Sequence, residues 1–235
     1  MKYKSIYGAS VIALVTSFSV NAMDKSWWES PYIGVDAEVR RMDFKGGFGD
    51  NILQHHSPQS NIYAGLKFND YVGIEAGYEA TTTRTRTATL TTCDFAAGTP
   101  IPVGMSPIIF KSKLKIKGPH VDLVGFYTID QRYPLQVLGA IGVSFVKGTV
   151  ERRTLQAAGV TMSMNRTLSE NRALLRLTAG LEYMFGEHLG ARGTIGWVNT
   201  GKIVIYANDN VQSIYVPEIK PKDSTIYGLG ILWRF

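Results

Sequence analysis

The last ten residues, IYGLGILWRF, alternate strictly between large apolar side chains and small or charged ones. Strict alternation predicts a β-strand, because successive side chains of a strand point to opposite faces. A strand so rich in aromatic residues would promote aggregation at the open edge of a soluble sheet. In a closed membrane barrel there is no edge, and lipid covers the apolar face. The alternation therefore favours a membrane barrel over a soluble sandwich.

The same alternation recurs in seven earlier segments, and in each the charged residues keep to one face. These segments are 32–40, 61–68, 71–80, 120–127, 135–145, 174–185 and 189–197. One such segment is weak evidence, but eight with a common pattern indicate a repeated half-apolar strand. We predict an all-β fold, an eight-stranded antiparallel transmembrane β-barrel.

The connections between these segments alternate in length. Segments two and three, four and five, and six and seven are joined by short turns. The other links are long, at roughly 40–60, 80–112, 147–170 and 199–223. Outer-membrane barrels have short periplasmic turns and longer extracellular loops. We therefore expect four long extracellular loops.

The first residues have the pattern of a secretory signal peptide. Lys2 and Lys4 precede an apolar stretch, and Val20-Asn21-Ala22 is a small-residue cleavage site. We expect residues 1–22 to be the signal peptide and 23–235 the outer-membrane barrel domain. Cys93 is the only cysteine, so no internal disulfide can form. The modest basic excess is interleaved with acidic residues and does not indicate nucleic-acid binding.

The chain resembles the eight-stranded outer-membrane barrels typified by OmpA and OmpX, over essentially the whole mature sequence. The most specific element is the C-terminal pattern, which in this family is the insertion signal for the barrel-assembly machinery. The positions that carry it here are Tyr227, Gly230, Trp233 and Phe235. The resemblance implies a barrel without the peptidoglycan-binding domain of full-length OmpA, a monomer, and a location in the Gram-negative outer membrane after export through the periplasm.

Charged residues on the inward faces predict an ion-paired interior. A barrel of eight strands is only wide enough for side chains to fill it, and a buried charge without a partner is costly. The predicted network consists of Asp36, Glu38, Arg40, Lys67, Glu75, Glu79, Asp122, Arg176, Glu182 and Arg192, with Arg234 on the same face. We expect Glu38, Glu75, Arg176 and Arg192 at its centre. The alternative is a narrow pore gated by one of these pairs.

The second long loop contains two basic stretches, TTTRTRTATLTT and FKSKLKIKG. If the strand alternation continues into them, six cations share one outer wall at the level of lipopolysaccharide phosphates, which are suitable partners for Arg and Lys. These are Arg84, Arg86, Lys111, Lys113, Lys115 and Lys117. Two alternatives remain: a bulge at Gly118-Pro119 would turn Leu114 and Ile116 outward instead, or the lysines only solvate an edge.

No catalytic site is predicted. Some barrels of this kind edit lipid A with a His-x-Ser pair, but His120 is followed by Val121 and Asp122 and faces inward. We expect no cofactor and no metal site. The expected role is that of a surface protein that contacts outer-membrane lipid and lipopolysaccharide, or adheres to a host surface or matrix ligand through its basic loops. The alternative is a narrow porin-like channel for ions or small solutes, and an enzyme is the least favoured class.

Overall fold

The computed structural model describes residues 30–45, 53, 55–82, 84–90, 108–129, 134–157, 160–200 and 220–235. The predicted signal peptide lies outside these residues. Within them are nine β-strands: β1 (Ser30–Lys45), β2 (His56–Lys67), β3 (Val72–Thr81), β4 (Arg84–Leu90), β5 (Ile108–Thr128), β6 (Leu135–Ala157), β7 (Val160–Met184), β8 (Leu189–Val198) and β9 (Lys220–Arg234). In this part of the chain, no helix is long and apolar enough to cross a membrane.

The strands form one closed antiparallel sheet. Its order is β3-β2-β1-β9-β8-β7-β6-β5-β4, and β3 also pairs with β5. β3 and β4 pair with successive parts of the same edge of β5, so together they occupy one strand position of the barrel. The barrel therefore has eight strand positions, as predicted. Because the sheet is closed, the backbone N–H and C=O groups of every strand can bond to a neighbouring strand. Lipid cannot form these hydrogen bonds.

The two ends of the barrel differ. At the end that we call the turn end, residues 68–71, 129–134 and 185–188 make short links. At the opposite, loop end, β4, β5, β6 and β7 extend well beyond the other strands. The predicted third loop, 147–170, is therefore wrong in part, because β6 and β7 pair through most of it and are joined at 158–159. Thr and Val favour strands there, and the sequence lacks the apolar alternation that marks the membrane segments.

The outward face is apolar over the height of the eight predicted segments. Leu229, Ile231 and Ile62 are 74%, 62% and 59% exposed. So many exposed aliphatic side chains on a regular face need an apolar solvent, and lipid supplies it. Aromatic residues lie near both ends of this apolar belt, as interfacial girdles do. Exposed aromatic residues at the turn end are Phe68, Tyr71, Tyr127, Tyr183, Phe185, Trp233 and Phe235, and those towards the loop end are Tyr78, Phe145 and Tyr227.

Glycines on the inward face make room for charged side chains on neighbouring strands. Gly142 is paired with Asp122, and Gly230 is paired with Asp36. A Cβ atom at either glycine would overlap the carboxylate opposite and a backbone carbonyl oxygen of the same neighbouring strand. At these two positions the interior accommodates the carboxylate because the opposing residue has no side chain.

This packing gives a first prediction. Gly142→Ala should lower the free energy of unfolding by about 1–3 kcal/mol, because the added methyl group overpacks a site that contains rigid backbone atoms. Gly139→Ala, on the outward face of the same strand, is the matched control, since a Cβ there meets nothing within 4 Å. Urea unfolding in detergent micelles measures both changes. Equal, small effects would contradict the packing of the interior.

Candidate functional site

All ten residues of the predicted interior network face inward and are buried. Their exposed fractions range from 0% for Arg40 to 6% for Glu75 and Arg176. They come from six strands: β1, β2, β3, β5, β7 and β8. The ion pairs among them fall into two groups, one centred on Arg192 and the other on Arg176.

Arg192 on β8 lies between two carboxylates. Its guanidinium donates to Glu75 at 2.7 Å and to Glu182 at 2.8 Å. Glu182 also accepts from Arg234 at 2.8 Å, and the hydroxyl of Tyr32 donates to Glu75 at 2.6 Å. The Arg192 guanidinium also lies 4.7 Å from the centre of the Tyr63 ring, which is a cation–π distance. Every charge of this group therefore has an opposite charge in contact.

Arg176 on β7 joins the second group, which lies nearer the loop end. Its guanidinium is 3.2 Å from Glu79, 3.5 Å from Asp122 and 4.0 Å from Glu38. Glu79 also accepts from Arg40, with both carboxylate oxygens 2.8 Å from Nη2. The four expected central residues, Glu38, Glu75, Arg176 and Arg192, are thus divided between two adjoining groups rather than placed in one.

Gln59, Asn61 and His120 complete this interior with further polar contacts. Gln59 donates to Glu38. The His120 ring contacts Asp122 through Nδ1 and Asn61 through Nε2, both at 2.9 Å. For Asn61 and His120, inward parity in the alternating segments 61–68 and 120–127 was the available sign, whereas Gln59 lies just before the first of these segments. The number of polar partners that a buried carboxylate needs would have strengthened it.

Two of the predicted network residues are held differently from the rest. Lys67 has no carboxylate within 4.0 Å among the described residues; it donates to Gln136 at 2.7 Å and lies 3.9 Å from the centre of the Phe126 ring. Among the described side chains, Asp36 accepts one long hydrogen bond, from Asn61 at 3.5 Å. These two residues are therefore buried members of the interior without an ion pair of their own in the described part.

Apolar side chains fill the lumen on both sides of the charged groups. Near the turn end lies a buried cluster formed by Tyr32, Tyr63, Val124, Phe126 and Leu138. Near the loop end, buried apolar residues from several strands face inward: Met42, Phe44, Ile116, Val146 and Val150. The charged groups and these buried apolar side chains together form the packed interior, which we call the plug; Lys67 and the partly exposed Arg234 lie at its turn end.

The lysines of β5 lie on the outer wall above the apolar belt, and we call Lys111, Lys113, Lys115 and Lys117 the lysine face. Leu114 and Ile116, between them in sequence, are 8% and 3% exposed and face inward. The pairing of β5 with β3 continues through Gly118-Pro119 without a shift. The bulge considered at that position is absent, and the alternation of the membrane segment persists into the loop end.

Arg86 does not share the lysine face, so the predicted outward orientation is wrong for it. It pairs with Ser112, which is buried on the inward face, and its guanidinium donates to the carbonyl of Leu53. The reason is a register change between β3 and β4. Ala80 pairs with Lys117, and Arg84 pairs with Leu114. Between these two pairs the chain of β3 and β4 advances by four residues while β5 advances by three, so β3 and β4 together contain one extra residue. The side chain of Arg84 lies outside the described residues.

The neighbouring strand β6 adds to the lysine face. Lys147 is opposite Lys117, and Glu151 is opposite Lys113. The Lys115 ammonium donates to Glu151 at 2.6 Å, and this hydrogen bond lowers the pKa of the Glu151 carboxyl. Glu151 therefore stays ionised and neutralises Lys115, while the charges of Lys117 and Lys147 have no such partner in the described part of the chain.

The sequence matches the outer membrane protein beta-barrel domain over residues 10–235. This chain belongs to the outer membrane protein β-barrel family. The fold and the match together place it in the outer membrane of a Gram-negative bacterium. No curated protein matches the sequence closely enough to add a characterised relative.

Solved structures of other outer-membrane barrels share the fold of this family member. Neisserial surface protein A is 12% identical, with a TM-score of 0.51, and the match covers 87% of this chain and 97% of that one. OprG from Pseudomonas aeruginosa is 15% identical, with a TM-score of 0.51 and coverage of 91% and 99%. A major outer membrane protein from Thermus thermophilus is 14% identical, with a TM-score of 0.51 and coverage of 86% and 99%. At these identities the likeness extends to the fold alone.

The C-terminal strand of this outer-membrane barrel closes the sheet against β1. Tyr227, Trp233 and Phe235 are exposed on the outward face, whereas Gly230 faces inward against Asp36. The aromatic residues are thus free for lipid in the finished barrel. The glycine has a packing role that is separate from the predicted insertion signal, which stays a prediction.

Proposed function

We propose that the protein is a non-enzymatic surface barrel whose lumen is closed by the plug and whose lysine face binds anionic glycans or lipopolysaccharide at the cell surface. The loop end faces outward in this proposal, because outer-membrane barrels keep their short turns in the periplasm. The observation that carries the proposal is the uninterrupted outward parity of Lys111, Lys113, Lys115 and Lys117.

The lysine face suits a polyanion for two reasons. Alternate residues of a strand are about 6.8 Å apart, so the four ammonium groups form a row of about 20 Å. The outward residues of β4 opposite this row are Thr85, opposite Lys113, and Thr87, opposite Lys111, which add hydroxyl groups and no carboxylate. A row of cations beside hydroxyl donors can contact successive sulfates or phosphates of an extended chain.

The plug argues against the channel alternative. Ions would have to pass two sets of paired charges and the buried apolar side chains packed near both ends of the barrel. Opening such a path would separate buried ion pairs, which costs several kcal/mol for each uncompensated charge. A closed lumen therefore fits a structural and surface-binding role better than conduction.

The interior histidine offers no support for an enzyme of the lipid A-editing kind. Both ring nitrogens of His120 are in hydrogen bonds with Asp122 and Asn61, and the side chain is 1% exposed inside the barrel. A lipid substrate on the outer wall would be separated from this imidazole by the sheet itself. We therefore keep the proposed function non-catalytic, with binding as its basis.

Replacing Lys111, Lys113, Lys115 and Lys117 together by Gln should weaken binding of heparin, used as a soluble polyanion, by at least about tenfold, since each cation near an anionic partner contributes about 1 kcal/mol. Affinity is measured by surface plasmon resonance at several salt concentrations, because this attraction is screened by salt. Arg41→Gln with Lys222→Gln, at β1 and β9 away from the lysine face, should change little. Binding that ignores both salt and the quadruple substitution would overturn the proposal.

A further inference from the structure

Lys117 on β5 and Lys147 on β6 are directly opposed on the outer wall, and both are exposed. The Cβ atoms of such a pair are about 5 Å apart, and like charges in this arrangement destabilise the sheet. The same cross-strand row continues to Ala80 on β3 and Asn171 on β7, neither of which is acidic. Within the described residues, no carboxylate lies within 4.0 Å of either ammonium group.

The height of this pair along the barrel is fixed by its neighbours. Two residues nearer the turn end, Phe145 on β6 and Tyr78 on β3, opposite Pro119 of β5, are 55% and 37% exposed and belong to the aromatic residues at the loop end of the apolar belt. One strand repeat of two residues is about 6.8 Å. Long lysine side chains just above an aromatic belt reach the level of lipid head groups.

The next cations up the wall are in a different situation. Lys115 is neutralised by Glu151 at 2.6 Å. Lys111 and Lys113 lie further from the belt by two or three strand repeats. A phosphate in the lipid plane can therefore reach Lys117 and Lys147 together, and it cannot reach the upper lysines at the same time.

We infer that Lys117, Lys147 and the amide of Asn171 form a binding site for a lipid A phosphate in the outer leaflet. A phosphate monoester between the two ammonium groups would remove their mutual repulsion and accept a charge-assisted hydrogen bond from each. Lipid A of the outer leaflet supplies phosphate groups at this height in the outer membrane. This inference rests on the proposed function, since it takes the loop end to face outward, and it assigns the lower pair to lipid and the upper lysines to soluble polyanion.

The test compares two double variants of equal charge in phospholipid nanodiscs. K117Q/K147Q removes the pair, and K111Q/K113Q removes two upper lysines of the same outward face. Native mass spectrometry and titration measure the binding of bisphosphorylated lipid A, of dephosphorylated lipid A and of phosphatidylglycerol. Heat-modifiable migration on a gel verifies that each variant is folded.

We expect K117Q/K147Q to weaken binding of bisphosphorylated lipid A by about tenfold or more, in line with two lost hydrogen bonds to a charged group. K111Q/K113Q should leave it within about twofold, and dephosphorylated lipid A should bind weakly to every form. Equal losses in both variants, no loss in either, or equal affinity for phosphatidylglycerol would each overturn the site. Heparin binding to the same proteins is a separate readout, so the proposed function can fail while the lipid site stands, and the reverse.

Discussion

Replacing Arg192 by Met is expected to lower the free energy of unfolding by about 3–5 kcal/mol, because it leaves buried carboxylates without their cation. Arg192 is 4% exposed and contacts both Glu75 and Glu182. Glu182 keeps Arg234, but Glu75 has no other cation within 4.0 Å among the described residues. Most of the loss in the free energy of unfolding should therefore arise at Glu75, which is buried in the barrel interior.

Urea unfolding in lipid vesicles, followed by tryptophan fluorescence, measures this loss. Arg234→Met is the control, since that side chain is 20% exposed at the turn end and Glu182 retains Arg192 when it is removed. Adding Glu75→Gln to Arg192→Met should recover a large part of the loss, because the uncompensated charge disappears. A loss no larger than that of Arg234→Met, with no recovery, would show that the ion pairs do not stabilise the plug.

Replacing Ile141 by Arg is expected to cost about 2–4 kcal/mol, because the outward face of the membrane segments lies in hydrocarbon. Ile141 is 52% exposed near the middle of the membrane part of β6, and it is paired with the outward residues Leu123 and Leu177. An exposed aliphatic residue in water would tolerate this change at little cost. The size of the loss in the free energy of unfolding therefore shows whether hydrocarbon or water surrounds the outward face.

The matched control is Thr87→Arg on β4. Thr87 is also exposed on the outward face, but it is paired with Lys111 above the apolar belt. It should be nearly neutral in the same vesicle-based unfolding experiment, apart from weak repulsion by the neighbouring lysines. A loss at Thr87 equal to the loss at Ile141 would mean that the apolar belt has been placed at the wrong height.

The membrane strands and the charged residues that face the interior could be predicted, because both follow from the two-residue period of a β-strand. Once one residue of a segment is assigned to the lipid face, its parity fixes the side of all the others, which is how Glu38 and Arg176 were assigned to the interior. Partner choice could not be predicted in the same way. The division into groups around Arg192 and Arg176 depends on the stagger between strands, which the sequence of one strand does not contain.

The prediction failed for Arg86 for the same physical reason that it succeeded elsewhere. Parity can be carried along a strand only while the register is unbroken, and the single extra residue between β3 and β4 reverses it. A run of threonines gives no apolar alternation that would reveal such a break. The lysines of β5 kept their phase because Leu114 and Ile116 continue an inward apolar row through Gly118-Pro119.

Conductance in planar lipid bilayers shows whether the lumen of this membrane barrel is closed by an ion-paired plug. Protein whose heat-modifiable migration shows it to be folded is reconstituted, and single-channel currents are recorded with and without Arg176→Gln. We expect no steady openings for the unaltered protein. Steady, ion-selective openings whose selectivity changes in Arg176→Gln would contradict it, because the charged interior would then line an open path.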